Sequence, residues 1–326
     1  MKEIRTGATD GHGSQVVSLI VDATYRCNAR CAYCRWGDGR TFERADAPIS
    51  ELCLSSDWLA SARIGRVVFS GGEPLLHPSL PTAITHYQSQ GVVERVVITN
   101  GLRADQARVA QCLRAGATGI TFSIDAVDAS VVEVARRMSR TQHERVLRNL
   151  SDTCSHARSR SLEVSVNCVL SAANCSVSTV QELAEHASSL GVTAVKFQPI
   201  FDDGYLGTNA PQLQLGATHA AVIREMGADT VNWGISTNPR SFFFELADLL
   251  EGATLPGRSC RLGGRTYVLQ PDGLVICPWI HAPVIAACDD LPNKIRDFAA
   301  MTASCSTGPN CFCLQPREQR WFDALS

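Results

Sequence analysis

The sequence predicts an α/β fold: a partial (β/α)6 barrel of the TIM type, with a small metal-stapled domain at its C-terminal end. Three observations predict it. Six β-branched runs alternate with amphipathic stretches between residues 16 and 202, which means parallel strands joined by right-handed crossovers. Gly91, Gly116 and Gly191 each stand just past an amphipathic stretch, where a left-handed helix cap belongs. The cysteines gather in two places, at Cys27, Cys31 and Cys34 and at Cys260, Cys277, Cys305, Cys311 and Cys313.

Taken in order, the strand runs are VVSLIVDAT, GRVVFSGG, VERVVITNG, GITFSIDA, LEVSVNCVL and AVKFQPI. Helical patterns lie between them at Leu52–Ala62, Leu80–Gln90, Asp105–Ala115, Ala129–Arg158 and Ser178–Leu190. Six units are too few for a closed eight-unit barrel, so the predicted barrel is open. Its chemistry is expected at the C-terminal ends of the strands. Residues 1–15 read as a flexible tail, 16–202 as the core, and 203–255 as a linker with helices near Ala217–Met226 and Phe242–Leu250. Residues 256–326 form the small domain. There, RTYVLQPDGLVICPW predicts a hairpin turning at Pro271-Asp272-Gly273, and so few aliphatic residues need a staple.

Composition narrows the function classes. The chain has 326 residues, 45% hydrophobic and 19% charged, with a formal net charge of −2. It can bury a sizeable core and has no disorder signature. The interspersed charges argue against a nucleic-acid partner. No apolar run reaches membrane-spanning length, so no membrane association is expected. MKEIRTGATDGHGSQ lacks a signal-peptide core, and a cytoplasmic protein is expected. Fourteen cysteines in such a chain point to metal rather than disulfides. Cys53, Cys112, Cys154, Cys168, Cys175 and Cys288 are scattered and read as small buried apolar residues.

Cys27, Cys31 and Cys34 form C-x3-C-x2-C at the end of the first strand. Zinc sites use paired C-x2-C units, and ferredoxins add a fourth cysteine. The next cysteine here is Cys53, inside a helical pattern. Three thiolates on a cubane leave one iron open, and an open position implies catalysis.

With Tyr33 before the third cysteine, this segment resembles the C-x3-C-x-aromatic-C motif of the radical S-adenosylmethionine (SAM) enzymes. Ser70-Gly71-Gly72-Glu73-Pro74, ending the second strand, resembles the GGEP motif of the same family. The resemblance implies a 4Fe–4S cluster on Cys27, Cys31 and Cys34, with SAM as the remaining ligand. It implies that Gly71, Gly72, Glu73 and Pro74 bind the amino group of SAM, the glycines by close approach and Glu73 by charge. Asn100 in TNG, Ser123 and Asp125 in SIDA, Asn167 and Gln198 are similar to family positions that contact SAM. Ordinary strand-end chemistry is the alternative for Asn100, Ser123, Asn167 and Gln198. Ser123 and Asp125 share strand parity, so both can face the lumen. Cys168, beside Asn167, then points outward. The implied mechanism is reductive cleavage of SAM to methionine and a 5′-deoxyadenosyl radical, which abstracts hydrogen from an unactivated C–H bond. A reductant such as flavodoxin or ferredoxin is implied as partner.

The C-terminal cysteines resemble the SPASM/twitch extension of a subset of this family. Cys260 and Cys277 flank the hairpin, and Cys277 closes a G-x3-C. Thr302 stands where a C-x2-C pair would need a cysteine, and none follows Cys313. One auxiliary 4Fe–4S cluster is therefore expected, on Cys260, Cys277, Cys313 and either Cys305 or Cys311. Structural zinc is the alternative.

For the substrate, the short stretch before the first strand favours a small polar metabolite, such as a sugar, aminocyclitol or amino-acid-like molecule. The expected outcome is oxidation or epimerisation in natural-product biosynthesis. Maturation of a ribosomally made peptide is the alternative, and an iron–sulfur electron carrier the non-enzymatic one. Possible substrate neighbours are Arg35, Trp36, the Asp202–Tyr205 segment, Trp279 and His281. His281 is a candidate general base, against a plain surface or core histidine.

Overall fold

The computed structural model describes residues 17–34, 46–158, 162–200, 210–253, 266–271 and 273–275. Six strands follow one another across a sheet in chain order: β1 (Val17–Thr24), β2 (Ile64–Gly71), β3 (Glu94–Thr99), β4 (Gly119–Ser123), β5 (Glu163–Leu170) and β6 (Ala194–Pro199). Every neighbouring pair among them is parallel. Between them stand α1 (Ile49–Leu52), α2 (Ser56–Ser61), α3 (Leu80–Ser89), α4 (Gln106–Arg114), α5 (Ala129–Arg136), α6 (Arg140–Ala157) and α7 (Val177–Leu190). The sheet does not close on itself, so the predicted open (β/α)6 barrel is the observed architecture.

Gly91, Gly116 and Gly191 have φ of 77°, 99° and 83°, the left-handed conformation that a Cβ disfavours. Two predicted helices divide. Leu52–Ala62 becomes α1 and α2, because the Ser55 side chain accepts from Trp58 N and starts a new helix. Ala129–Arg158 becomes α5 and α6. Arg137 takes φ 51°, and Ser139 with Gln142 forms a capping box.

Aromatic contacts identify the two faces of the sheet. Phe69 meets Tyr87 of α3 at 5.8 Å between ring centroids, so Phe69 faces the helices and its neighbours Val68 and Ser70 face the barrel interior. At β6, Phe197 packs on Trp233 and Phe243, which places Lys196 and Gln198 inside. These rings belong to the helical pair α8 (Ala220–Asp229) and α9 (Arg240–Leu250) and its connection, close to the helices expected in the linker. That connection also covers the edge of β6. Val195 N donates to Ser236 O at 2.9 Å, and the Asn238 amide both accepts from Phe197 N and donates to Phe197 O.

The hairpin expected at residues 265–279 is present as β7 (Thr266–Gln270) and β8 (Gly273–Val275), which pair antiparallel. It extends the core sheet: β7 runs parallel to β1, with Ile20 opposite Val268. Tyr267 explains the docking, for it is buried and meets Trp58 of α2 edge-on at 5.6 Å. Arg35, Trp36, the Asp202–Tyr205 segment, Trp279, His281, Cys260, Cys277, Cys288, Cys305, Cys311 and Cys313 lie outside the described residues.

Candidate active site

The cysteine loop leaves the C-terminal end of β1, and the structure shows what supports it. Gly72 N donates to Thr24 O at 2.7 Å, and Glu73 N to Arg26 O at 2.8 Å. The GGEP turn thus lies backbone to backbone against the segment that enters the loop. A Cβ on Gly71 would sit 2.5 Å from Thr24 O, and one on Gly72 2.2 Å from Arg26 O. Both glycines admit the close approach of the protein's own chain.

The Glu73 carboxylate, expected to meet an ammonium group, is fully buried and engaged by the protein's own donors. Oε1 accepts from Leu75 N at 3.1 Å and from Thr99 Oγ1 at 2.8 Å, while Oε2 accepts from Asn100 N at 2.7 Å. It braces the ends of β2 and β3. Burial pushes its pKa up to about 7, against the hydrogen bonds from Asn100, Thr99 and Leu75 that pull it down. Pro74 opens the following 3-10 turn, where a missing N–H costs nothing.

Asn100 reaches from β3 to the loop. Its Nδ2 donates to Asn28 Oδ1 at 2.8 Å and points at Cys27 Sγ at 3.6 Å, and its Oδ1 accepts from Leu102 N. Ala29 N also points at Cys27 Sγ, at 3.4 Å. Burial pushes the Cys27 thiol up to about 11. Cys31 is buried and Cys34 half-buried, with Cys34 N bonded to Cys31 O at 3.2 Å.

Asp125 is likewise engaged by the protein's own groups. Ser123 stays half-open on the inner face, but Asp125 is 1% exposed. It accepts from Tyr33 Oη at 2.7 Å and from Val169 N at 3.0 Å, and lies 3.7 Å from Arg136 Nη1. Asp125 lies two residues past the end of β4, where strand alternation need not continue. Cys168 is fully buried opposite Asn167, as alternation predicts. Asn167 and Gln198 are half-buried on the inner face.

Sequence reasoning missed Arg136, which joins Asp125, Tyr33 and Cys31. The signal was available: Ser139-x-x-Gln142 is a capping box, and it ends the preceding helix near Arg136. It also missed Asn174, whose Nδ2 donates to Asp125 O at 2.9 Å.

The donor set fits an iron–sulfur cluster. Three soft thiol ligands share one loop, with N–H groups directed at Cys27 and the charge of the Arg136 guanidinium felt at Cys31. Arg136 Nε is buried without a partner, a donor suited to an anionic group. Among the described residues no three side chains converge on a single metal ion. A four-iron cluster does not require that, since each thiolate binds a different iron.

These features define a half-barrel domain whose first strand ends in a three-cysteine loop braced by a glycine–glutamate turn. The family model for the radical SAM superfamily matches residues 21–170, which include the cysteine loop, the GGEP turn, Asn100, Asp125 and Arg136. The chain is 32% identical to a GTP 3′,8-cyclase of Chlorobaculum tepidum over 37% of this chain and 36% of that protein. It is 36% identical to a GTP 3′,8-cyclase of Mycolicibacterium smegmatis over 49% and 44%. These alignments span well under two thirds of the relatives' length. Among solved structures, Streptococcus suis SuiB bound to S-adenosylmethionine superposes with a TM-score of 0.65 at 12% identity, over 85% of this chain and 65% of that one. Native anSMEcpe with bound AdoMet gives 0.60 at 17%, over 81% and 75%. Both share the fold. No helix among the described residues is long and apolar enough to cross a membrane.

Proposed function

We propose that this protein is a radical SAM enzyme that abstracts hydrogen from a small polar metabolite. The observation that carries the reading is the cysteine loop held on the GGEP turn through Gly72 N to Thr24 O and Glu73 N to Arg26 O. When bound, a 4Fe–4S cluster and SAM supply reductive cleavage of SAM and a hydrogen-abstracting radical. Cys27, Cys31 and Cys34 hold the cluster. Asn100 orients Cys27, Tyr33 is fixed by Asp125, and Glu73 keeps the strand ends in register. Tyr33 and Cys31 are buried, which limits the access of water to that side of the loop.

The inner face supports a polar substrate. Ser123, Asn167 and Lys196 lie side by side in register on β4, β5 and β6. One layer below, Thr121 and Ser165 share a hydrogen bond at 2.9 Å. Toward β1, Gln270 Nε2 lies 3.5 Å from Asp22 Oδ2. Such a lining recognises hydroxyl, amide and charged groups rather than an apolar ligand. The curated relatives are named for a rearrangement of GTP, itself a small polar molecule. Radical rearrangement therefore stands beside oxidation and epimerisation as the reaction type. One auxiliary 4Fe–4S cluster, held by four of Cys260, Cys277, Cys305, Cys311 and Cys313, and a flavodoxin or ferredoxin reductant complete the proposal.

The test is anaerobic reconstitution followed by dithionite and SAM. Release of 5′-deoxyadenosine by the wild type, and its loss in Cys31→Ala, is expected. A fully loaded wild type that releases none overturns the reading. About eight iron and eight sulfide per chain supports the auxiliary cluster; about four with zinc replaces it by a zinc site.

A further inference from the structure

The cysteine loop rests on a buried cation. α5 stops at Arg136 because Arg137 is left-handed, and the last turn of the helix meets the loop directly: Ala32 N donates to Ala135 O at 2.9 Å. Arg136 then turns inward with only 4% of its surface exposed. Its Nη1 donates to Ser123 O and lies 3.7 Å from Asp125 Oδ1. The charge of Cys31 acts on its guanidinium, while Nε has no partner. Tyr33, from the loop itself, closes the circuit by donating to Asp125 Oδ2 at 2.7 Å.

A guanidinium keeps its charge when buried. Asp125 offsets it at 3.7 Å, and the buried Glu73 also feels its charge. The arrangement is a buried ion pair fixed beside the cysteine loop. Hydrogen bonds and charge at a ligand sulfur are among the levers that set an iron–sulfur potential.

We propose that Arg136 is a positioning residue that sets the reduction potential of the cluster on Cys27, Cys31 and Cys34, through its fixed charge beside Cys31, with Asp125 and Tyr33 fixing its place. This rests on the radical SAM reading above. Adding an electron to the cluster adds negative charge beside Cys31, and a fixed cation there favours the reduced state. Removing the cation lowers the potential, and removing its counter-charge raises it. A pin that only held α5 against the loop would produce no such opposed pair of shifts.

The experiment is an EPR-monitored redox titration of the reconstituted full chain without SAM, reading the signal that is absent in Cys31→Ala. At the wild-type midpoint, Arg136→Gln is expected to lower the reduced-to-oxidised ratio about tenfold, roughly 59 mV for a one-electron couple. Arg136→Lys, which keeps the charge but not the fork, is expected to restore part of that shift. Asp125→Asn keeps the size of the side chain and an acceptor for Val169 N, and is expected to move the midpoint upward. Iron and sulfide contents verify loading of each variant. Midpoints equal to wild type in loaded Arg136→Gln and Asp125→Asn overturn the proposal. So does a shift of both in the same direction. If Arg136→Gln does not load, Arg136→Lys and Asp125→Asn decide alone. A wild type that forms no cluster overturns the radical SAM reading, and this proposal with it.

Discussion

Tyr33 Oη donates to Asp125 Oδ2 at 2.7 Å, tying the aromatic residue of the cysteine motif to the end of the fourth strand. Both side chains are buried, so this is a charge-assisted bond shielded from water. Tyr33→Phe keeps the ring and removes the bond. A loss of about 1–3 kcal/mol in urea denaturation is expected, with the iron content retained. Unchanged stability would show that the hydroxyl does not anchor the loop.

Glu73 serves three buried donors at once. In Glu73→Ala, Leu75 N–H, Thr99 Oγ1–H and Asn100 N–H lose their acceptor together. A cost of about 3 kcal/mol is expected, since each stranded donor keeps its desolvation penalty. Chemical denaturation measures it, and a variant as stable as wild type contradicts the bracing role.

Gly72 tests the backbone approach. An added Cβ meets Arg26 O, a backbone atom with nowhere to go. Gly72→Ala is expected to displace the cysteine loop, to destabilise by about 1–3 kcal/mol or more, and to reduce iron bound per chain. Gly216→Ala is the control, because a Cβ there meets nothing within 4 Å. Equal iron contents in the two variants would refute the expectation.

Lys196 gives a pH dependence with a defined sign. Its Nζ donates to Thr237 O at 3.3 Å, and burial pulls its pKa down to about 8, despite Glu163 nearby. Between pH 8 and the ordinary lysine value of 10.5 the unfolded chain binds a proton that the folded chain has released. Stability therefore rises with pH across that window, by at most about 1.4 kcal/mol per unit from this group. Below pH 8 the group adds no slope. Lys196→Met is expected to flatten the rise, and urea midpoints at two pH values within the window would reveal an unaltered slope if the assignment is wrong.

The strands and their order were legible because each is a β-branched run ended by glycine or polar residues, and each crossover carries its own cap. The cysteine loop and the GGEP turn were legible as spacing. What the spacing did not carry was direction. Glu73 and Asp125 read as ligand-facing carboxylates, yet each had acceptor capacity that nearby chain donors, Asn100 N and Tyr33 Oη among them, could satisfy. Arg136 was hidden inside an apparently continuous helix, where a residue with positive φ interrupts the pattern without a glycine to mark it. The hairpin was legible as a hairpin. Its place beside β1 depends on Tyr267 meeting Trp58, a long-range contact that no local pattern encodes.

That placement bears on how the molecule is made. β1 is paired along one edge to β2 and along the other to β7, so Val21 stands between Phe69 and Leu269. Val21 and Leu269 are paired though far apart in sequence. Pairing across so long a loop is slow, and a bare strand edge invites association with other chains. The strand that carries the cysteine loop is thus completed by a contact of long sequence separation.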